Sequence, residues 1–185
     1  MPRRPLHPSE INEARLVFGE GLDYSRAFVF EYARWPNWVA DLGGIWHRHK
    51  RTWNNGVALG NTCYFPVQLK TSAEFIANGE LKDMAWLIHE LTHQWQFQRI
   101  GWRYLTDALN VQLREGLQSY NYQKEHPSRE AALLAAHAAG RRLADFNPEQ
   151  QGELARDYYK ALKQGREVKP WEPFVEEFRY SLSGL

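Results

Sequence analysis

The sequence lacks the features of several protein classes. It has one cysteine, Cys63, in 185 residues, so it can form neither an internal disulfide nor a thiolate metal cluster. Its 23 Lys and Arg against 22 Asp and Glu give a net charge of +1, without the basic surplus of a general nucleic-acid binder. No apolar run approaches the roughly 20 residues of a membrane-spanning helix. We therefore expect a globular protein without a nucleic-acid partner or membrane insertion, in which any metal is held by histidine and carboxylate.

The first ten residues also lack the pattern of a secretory signal peptide. Arginines occupy positions 3 and 4, but no apolar segment follows them before Glu10. This pattern predicts synthesis in the cytoplasm without a signal peptide. A chain of this length can bury most of its apolar surface in one core, so a single domain over residues 1–185 is expected.

The hydrophobic pattern predicts an irregular first half and a helical second half. Strands are expected within residues 27–32 and 57–65, so any sheet is small and lies before residue 70. The tail around residues 170–173 is expected to be extended. The predicted fold class is α+β, mainly helical, with a small N-terminal β-sheet. Helices are predicted to follow Ser9, to span about 84–101, 105–120 and 128–143, and to begin at Pro148 after an Asn147 cap.

The strongest chemical signal is the segment His89-Glu90-Leu91-Thr92-His93, which lies in the helix predicted over 84–101. Two histidines four residues apart on a helix are about 40° apart around its axis and one turn along it, so both rings can reach one ion. Glu90 lies beside that face, where its carboxylate can take a proton from water that the ion activates. The pattern predicts a zinc site on this helix. The alternative is a helix with two ordinary, partly buried histidines.

A catalytic zinc usually has three protein ligands, so a third is needed from elsewhere in the chain. Position 99, where a third histidine of the extended motif would stand, is Arg99, and His126 and His137 have the settings of ordinary loop and helix residues. Glu149 begins the last predicted helix, and Glu153 follows one turn later, where it could orient a ligand histidine. Glu149 could equally complement the positive end of that helix. The residues alone leave both interpretations open.

Several short blocks occur in a fixed order over about residues 9 to 160. They are Ser9-Glu10-Ile11, Val17-Phe18-Gly19, Leu22-Asp23-Tyr24, Gly60-Asn61, Tyr64-Phe65-Pro66, the run from His89 through Trp95-Gln96, and Glu149-Gln150-Gln151. Together they resemble the Vgr-related zinc metallopeptidase-like domains. Those domains occur alone or as C-terminal extensions of type VI secretion spike proteins, and at least some act as antibacterial effectors in the periplasm of the target cell.

The resemblance implies a zincin-like fold and a zinc site of the gluzincin type, with His89, His93 and Glu149 as ligands. It implies a zinc metallopeptidase that hydrolyses peptide bonds with Glu90 as general base. The implied protein is an antibacterial effector, secreted by the type VI system and active in the target periplasm. Its implied partners are a protein or peptide substrate, an immunity protein and a secretion spike protein. Gly152 stands where the family usually has alanine, a departure that we expect to touch no ligand.

A peptidase of this kind needs a second electrophile for the developing oxyanion. The candidates are Tyr120, Tyr122, Tyr158 and Tyr159, each of which is also explained as a helix-packing ring. Of these we choose Tyr122 as the catalytic tyrosine.

Two further hypotheses concern partners. The aromatic segment from Trp35 to Trp53, with the basic run from His47 to Arg51, is where we expect a partner or an acidic substrate to bind, although such a run is more often a solvated face. The alternative function is a non-catalytic zinc-binding interaction module that docks to a secretion particle or partner protein.

Overall fold

A small sheet and a group of helices make up the described part of the chain. The computed structural model describes residues 3–35, 54–108 and 116–180. The partner surface predicted for the segment from Trp35 to Trp53 lies, apart from Trp35 itself, outside the described residues. The ring of Trp35 packs edge-on against Tyr64 with their centroids 5.1 Å apart.

The sheet has four short strands in the order β1-β2-β4-β3. β2 and β4 are parallel, with Val29 opposite Cys63, and the two outer pairs are antiparallel. The segment predicted as one or two strands forms two, joined at Gly60, whose φ of +59° a glycine adopts without strain. Every strand in the described part of the chain precedes residue 70, as predicted. Their bounds are Arg4–Pro5 for β1, Phe28–Phe30 for β2, Val57–Leu59 for β3 and Thr62–Tyr64 for β4.

The helices dominate the rest of the described chain, so the α+β class with mainly helical content is confirmed. Another helix begins at residue 103 and reaches the end of its described segment at 108. In the described residues, no helix combines the length and apolar character needed to cross a membrane. The bounds are Pro8–Phe18 for α1, Ala73–Ala77 for α2, Lys82–Ile100 for α3, Arg129–Ala138 for α4, Pro148–Lys163 for α5 and Glu172–Arg179 for α6, with 3-10 turns at Tyr24–Arg26, Gly116–Tyr120 and Leu143–Asp145.

The pair α3 and α5 forms the centre of the molecule. α3 contacts β3 and β4 on one side and α5 on the other, and its residues Leu87, Ile88 and Leu91 are fully buried. α5 begins as predicted, because the side chain of Asn147 accepts a hydrogen bond from the backbone N–H of Gln150 at 2.9 Å. The two helices that carry the predicted ligands therefore pack directly against each other.

The expectation of an extended tail is wrong. The chain after Trp171 forms α6, in which Phe174, Val175 and Phe178 are buried at helical spacing. Pro173 lies in the first turn of this helix, where its missing N–H costs nothing. α6 packs on α1, and the ring of Phe178 meets Phe18 edge-on at 5.6 Å.

The helix predicted over 128–143 is shorter than expected, and the helix predicted over 105–120 is only partly described. α4 ends at Ala138, and the chain turns at Gly140 with a φ of +72°. Of the helix predicted over 105–120, residues 116–120 form a 3-10 turn, and residues 109–115 lie outside the described part. This 3-10 turn carries Tyr120 to the N-terminal end of α5.

Candidate metal centre

Three predicted ligands meet in the interface between α3 and α5. Nε2 of His89 lies 3.4 Å from Oε2 of Glu149, and Nε2 of His93 lies 3.6 Å from the same oxygen. One ligand atom from each of the three side chains falls within 4.8 Å of the others, and each residue is 7% exposed. Helix α5 thus brings Glu149 to the face of α3 that carries His89 and His93. This is the carboxylate that the residues alone left open and that the resemblance implied.

These separations suit a single tetrahedral ion. Zinc bonds of about 2.0–2.2 Å to nitrogen and oxygen hold ligand atoms about 3.3–3.6 Å apart in a tetrahedron. The two measured nitrogen-to-oxygen distances, 3.4 and 3.6 Å, fall in that range. Two imidazoles and one carboxylate form the donor set of a catalytic zinc with an open fourth position. The residues present therefore fit zinc.

The electrostatics of the cluster also favour a cation. Burial opposes charge on His89, yet the carboxylates of Glu149 and Glu153 raise the pKa of His89 to about 10. The pKa of His93 is raised as well, because Glu149 outweighs the effect of burial. The two imidazoles in turn hold the pKa of Glu149 below its ordinary value, although burial acts the other way. The buried carboxylates thus favour positive charge at the position between the two imidazoles.

Glu90 lies beside the cluster, enclosed by a strand and an indole. Burial raises the pKa of its carboxyl group, while the indole N–H of Trp86, one turn earlier on α3, donates a hydrogen bond to the carboxylate. A Cβ added to Gly56 would lie 2.8 Å from both Oε1 of Glu90 and Nε1 of Trp86, so the backbone just before β3 covers this carboxylate. Glu90 is thus held in one orientation near the three candidate ligands without belonging to that group.

Glu153 lies behind His89, on the side away from Glu149. Its Oε1 is 3.4 Å from Nδ1 of His89, and its other oxygen pairs with Arg129 and Arg156. This arrangement separates the two acidic residues that the sequence could not rank. Glu149 faces the Nε2 atoms of both histidines, whereas Glu153 faces only the rear nitrogen of one.

Gly152 contacts a proposed ligand, contrary to expectation. A Cβ at this position would lie 2.7 Å from Cε1 and 2.9 Å from Nδ1 of His89. The imidazole therefore lies directly on the backbone of α5 between Glu149 and Glu153. An alanine here, as in the family that the sequence resembles, would require the ring or the helix to shift.

The comparison with known proteins gives one similarity. The type VI secretion system spike protein VgrG2b of Pseudomonas aeruginosa is 29% identical to this chain over 160 residues. The chain resembles part of a secretion spike protein. The match covers 84% of this chain and 13% of VgrG2b, so the chain corresponds to a small part of that protein's length. No family model and no solved structure matches the chain.

Of the four candidate tyrosines, Tyr120 contacts the candidate ligands, and the described contacts of the other three lie elsewhere. The ring of Tyr120 stacks on His89 with centroids 6.1 Å apart, and its hydroxyl hydrogen-bonds the carboxylate of Glu149. The hydroxyl of Tyr122 instead donates to Asp157 at 2.8 Å and accepts from the indole of Trp171 at 3.3 Å. The structure thus brings Tyr120 to the candidate ligands, while the described contacts of Tyr122 lie in the packing behind α5.

Tyr158 and Tyr159 have their described contacts elsewhere. The hydroxyl of Tyr158 accepts a hydrogen bond from Arg179 at 2.9 Å, and that of Tyr159 donates to Glu13 at 2.9 Å. Both residues join α5 to neighbouring helices. Their positions match the packing interpretation given to them from the sequence.

Three side chains near the candidate ligands were given no role in the site from the sequence, although Gln96 and Gln151 lie in the blocks named there. Trp86 and Gln96 lie on α3, four residues before Glu90 and three after His93, so helical spacing could have indicated both. Gln151 of α5 accepts a hydrogen bond from Gln96, a contact between distant segments that local spacing does not reveal.

Proposed function

We propose that this chain is a zinc-dependent metallopeptidase with a zincin-like fold. The observation that carries the proposal is the buried meeting of His89, His93 and Glu149, with the carboxylate of Glu90 fixed beside it. A donor set of two imidazoles and one carboxylate next to a separate buried carboxylate is the arrangement that water activation needs. A purely structural zinc site would not need the separate buried carboxylate of Glu90.

The residues that would hold the zinc are His89 and His93, through Nε2, and Glu149, through Oε2. Zinc bound there supplies a Lewis acid for the substrate carbonyl and a water of lowered pKa. Glu90 then accepts a proton from the attacking water and returns it to the leaving amine. Burial raises the pKa of Glu90 above the ordinary glutamate value, which makes its carboxylate a better proton acceptor for the first of these steps. The indole N–H of Trp86 holds the carboxylate in place between the two transfers.

Tyr120 is the electrophile that this proposal assigns to the oxyanion, in place of Tyr122. Its ring stacks on a ligand histidine and its hydroxyl reaches Glu149, so the hydroxyl borders the space that the reacting carbonyl would enter. Burial and the neighbouring carboxylates raise its pKa well above the ordinary tyrosine value. Tyr120 therefore keeps its proton at neutral pH and can donate a hydrogen bond to a developing negative charge.

Replacing Tyr120 with phenylalanine is expected to lower kcat about 100-fold with little change in KM, because one donor to the oxyanion is lost. Zinc affinity is expected to change by less than about tenfold. Tyr122→Phe is the matched control: it removes the hydrogen bond to Asp157 and should cost about 1 kcal/mol of stability while leaving kcat within about threefold. Steady-state kinetics and thermal unfolding separate the two. A large kcat loss in Tyr122→Phe with none in Tyr120→Phe would contradict the role of Tyr120 and favour Tyr122, the tyrosine chosen from the sequence.

Delivery by a type VI secretion system is the second part of the proposal. It rests on the similarity to a type VI spike protein and on the short blocks described from the sequence. The chain would be made in the cytoplasm, carried with a spike protein and active in the periplasm of a target cell, where it acts as an antibacterial effector. The producing cell would then need an immunity protein that blocks the site.

Zinc dependence tests the peptidase proposal directly. Periplasmic extract from a target bacterium is incubated with the purified protein, and new peptide termini are identified by mass spectrometry. Chelation of the metal is expected to abolish the new termini, and one equivalent of zinc is expected to restore them. Cleavage that continues after complete metal removal would contradict the proposal.

A further inference from the structure

The second ligand histidine is held from behind by an amide. Nδ1 of His93 lies 2.9 Å from Oε1 of Gln96, one turn later on α3, and Gln96 is 3% exposed. The other ring nitrogen, Nε2, faces Glu149. Which of the two nitrogens carries the proton depends on whether Gln96 presents an oxygen or an NH₂ group to the ring.

The far side of Gln96 fixes the direction of its amide. The NH₂ group donates to the backbone carbonyl of Pro148 at 3.1 Å and to Oε1 of Gln151 at 2.9 Å. Gln151 cannot turn its amide around, because its own NH₂ group donates to the carbonyls of Leu143 at 3.1 Å and Phe146 at 2.9 Å. Backbone carbonyls only accept hydrogen bonds. The backbone carbonyls of Leu143, Phe146 and Pro148 therefore determine that the side-chain oxygen of Gln96 faces His93.

We propose that Gln96, braced by Gln151, is a positioning residue that fixes the tautomer of His93, with the proton on Nδ1 and the lone pair of Nε2 directed at the metal position. The inference rests on the proposed metal centre and deepens it. An accepting amide oxygen requires Nδ1–H, which leaves Nε2 unprotonated without any change in the net charge of the site. The proposal also gives the blocks Trp95-Gln96 and Glu149-Gln150-Gln151 a common role, because Gln96 of the first donates a hydrogen bond to Gln151 of the second. Both blocks were named from the sequence without a mechanism.

The two ligand histidines are oriented by different means. Behind His89 stands the carboxylate of Glu153, 3.4 Å from Nδ1, and within the described residues that nitrogen has no hydrogen-bond partner of good geometry. The amide relay acts on His93 and joins α3 to the carbonyl of the residue just before Glu149. Loss of Gln96 should therefore release His93 and leave His89 in place.

The first measurement is the tautomer of His93 in the metal-free protein. Nitrogen NMR of the histidine rings is recorded at a pH at which the ring is neutral, with His93 assigned by comparison with His93→Gln. The wild-type ring is expected to carry its proton on Nδ1. In Gln96→Leu the ring is expected to become a mixture of both tautomers, and zinc affinity, measured by competition with a chromogenic chelator, to fall about 10- to 100-fold.

Two variants separate positioning from structural support. Gln96→Glu keeps an acceptor for Nδ1–H but loses the donor to α5, so it should lower the melting temperature and still retain the Nδ1–H tautomer. Gln98→Leu is the matched control on the same helix, because its amide bonds Asp23 and Asn61 away from the metal ligands. It should lower the melting temperature and leave both the His93 tautomer and zinc affinity unchanged.

A neutral wild-type His93 ring that carries its proton on Nε2 in the metal-free protein would overturn the proposal, as would an unchanged tautomer in Gln96→Leu. If Gln96→Leu does not fold, the wild-type and Gln96→Glu spectra decide, since Nε2–H in either contradicts the relay. These spectra need neither metal nor substrate. If His93 has the expected tautomer but the protein cleaves no peptide, only the peptidase proposal is contradicted. If the protein is a zinc peptidase but its neutral His93 carries the proton on Nε2, only the proposed role of Gln96 is contradicted.

Discussion

Glu90→Gln is expected to abolish peptide hydrolysis while the protein keeps its fold and its zinc. Glutamine has the shape of glutamate and its oxygen can accept the hydrogen bond from Trp86, but it cannot take a proton from water. Loss of a general acid–base group of this kind should lower kcat about 1,000-fold or more. Zinc affinity should stay within about tenfold, because Glu90 is not a ligand.

The stability of the same variant gives an independent check. Burial raises the folded-state pKa of Glu90 above its unfolded value, so at neutral pH its ionisation opposes folding of the metal-free protein. A neutral glutamine removes that penalty, and we expect the metal-free variant to unfold at the same temperature as wild type or slightly higher. Glu74→Gln, on the exposed face of α2, is the control and should change neither kcat nor stability.

The outcomes of this experiment distinguish the zinc peptidase from the non-catalytic zinc-binding module, the two functions considered from the sequence. A peptidase loses cleavage in Glu90→Gln but not in Glu74→Gln, with equal zinc content in both. A non-catalytic zinc-binding module holds zinc equally in all three proteins, cleaves nothing and keeps its binding to a spike protein in the Glu90→Gln variant. Full cleavage by Glu90→Gln would contradict the proposed role of Glu90.

The parts of the fold that were predicted correctly are those set by local interactions. The helical spacing of apolar residues gave α3, and the Asn147 cap with Pro148 gave the start of α5, because capping and periodicity act within one or two turns. The tail around residues 170–173 was mispredicted as extended because burial of Phe174 and Phe178 against other helices, a tertiary interaction, favours α6. The two-residue strand β1 was missed, since its partner β2 lies more than 20 residues away.

The residues of the candidate site also fall into those that a local pattern predicts and those that depend on tertiary packing. His89, Glu90 and His93 follow from one local motif, but the roles of Glu149 and Glu153 depend on how α5 faces α3, which no local pattern specifies. The same limit applies to the tyrosines, because Tyr120 and Tyr122 are only two residues apart, yet Tyr120 contacts His89 and Tyr122 donates to Asp157. Only packing distinguishes a residue beside the ligands from one in the core behind them.

The assignment of Glu149 as third ligand leads to the second large expected effect. Among the described residues, Glu149 has the only carboxylate oxygen that faces both Nε2 atoms, so we expect zinc affinity to fall at least about 100-fold in Glu149→Ala. Glu153→Ala removes a group behind His89, and a loss of about tenfold is expected, as for a residue that orients a ligand. Both are measured by chelator competition, with the exposed Glu167→Ala as control.

Stability is expected to rank these two variants in the opposite order. Glu153 pairs with Arg129 and Arg156, so Glu153→Ala leaves two partly buried guanidinium groups short of a partner and should cost about 1–3 kcal/mol. The expected pattern is thus a large affinity loss in Glu149→Ala and the larger loss of melting temperature, in the presence of chelator, in Glu153→Ala. If Glu149→Ala instead keeps full affinity and Glu153→Ala loses it, the metal is bound one turn further along α5, on the other face of His89.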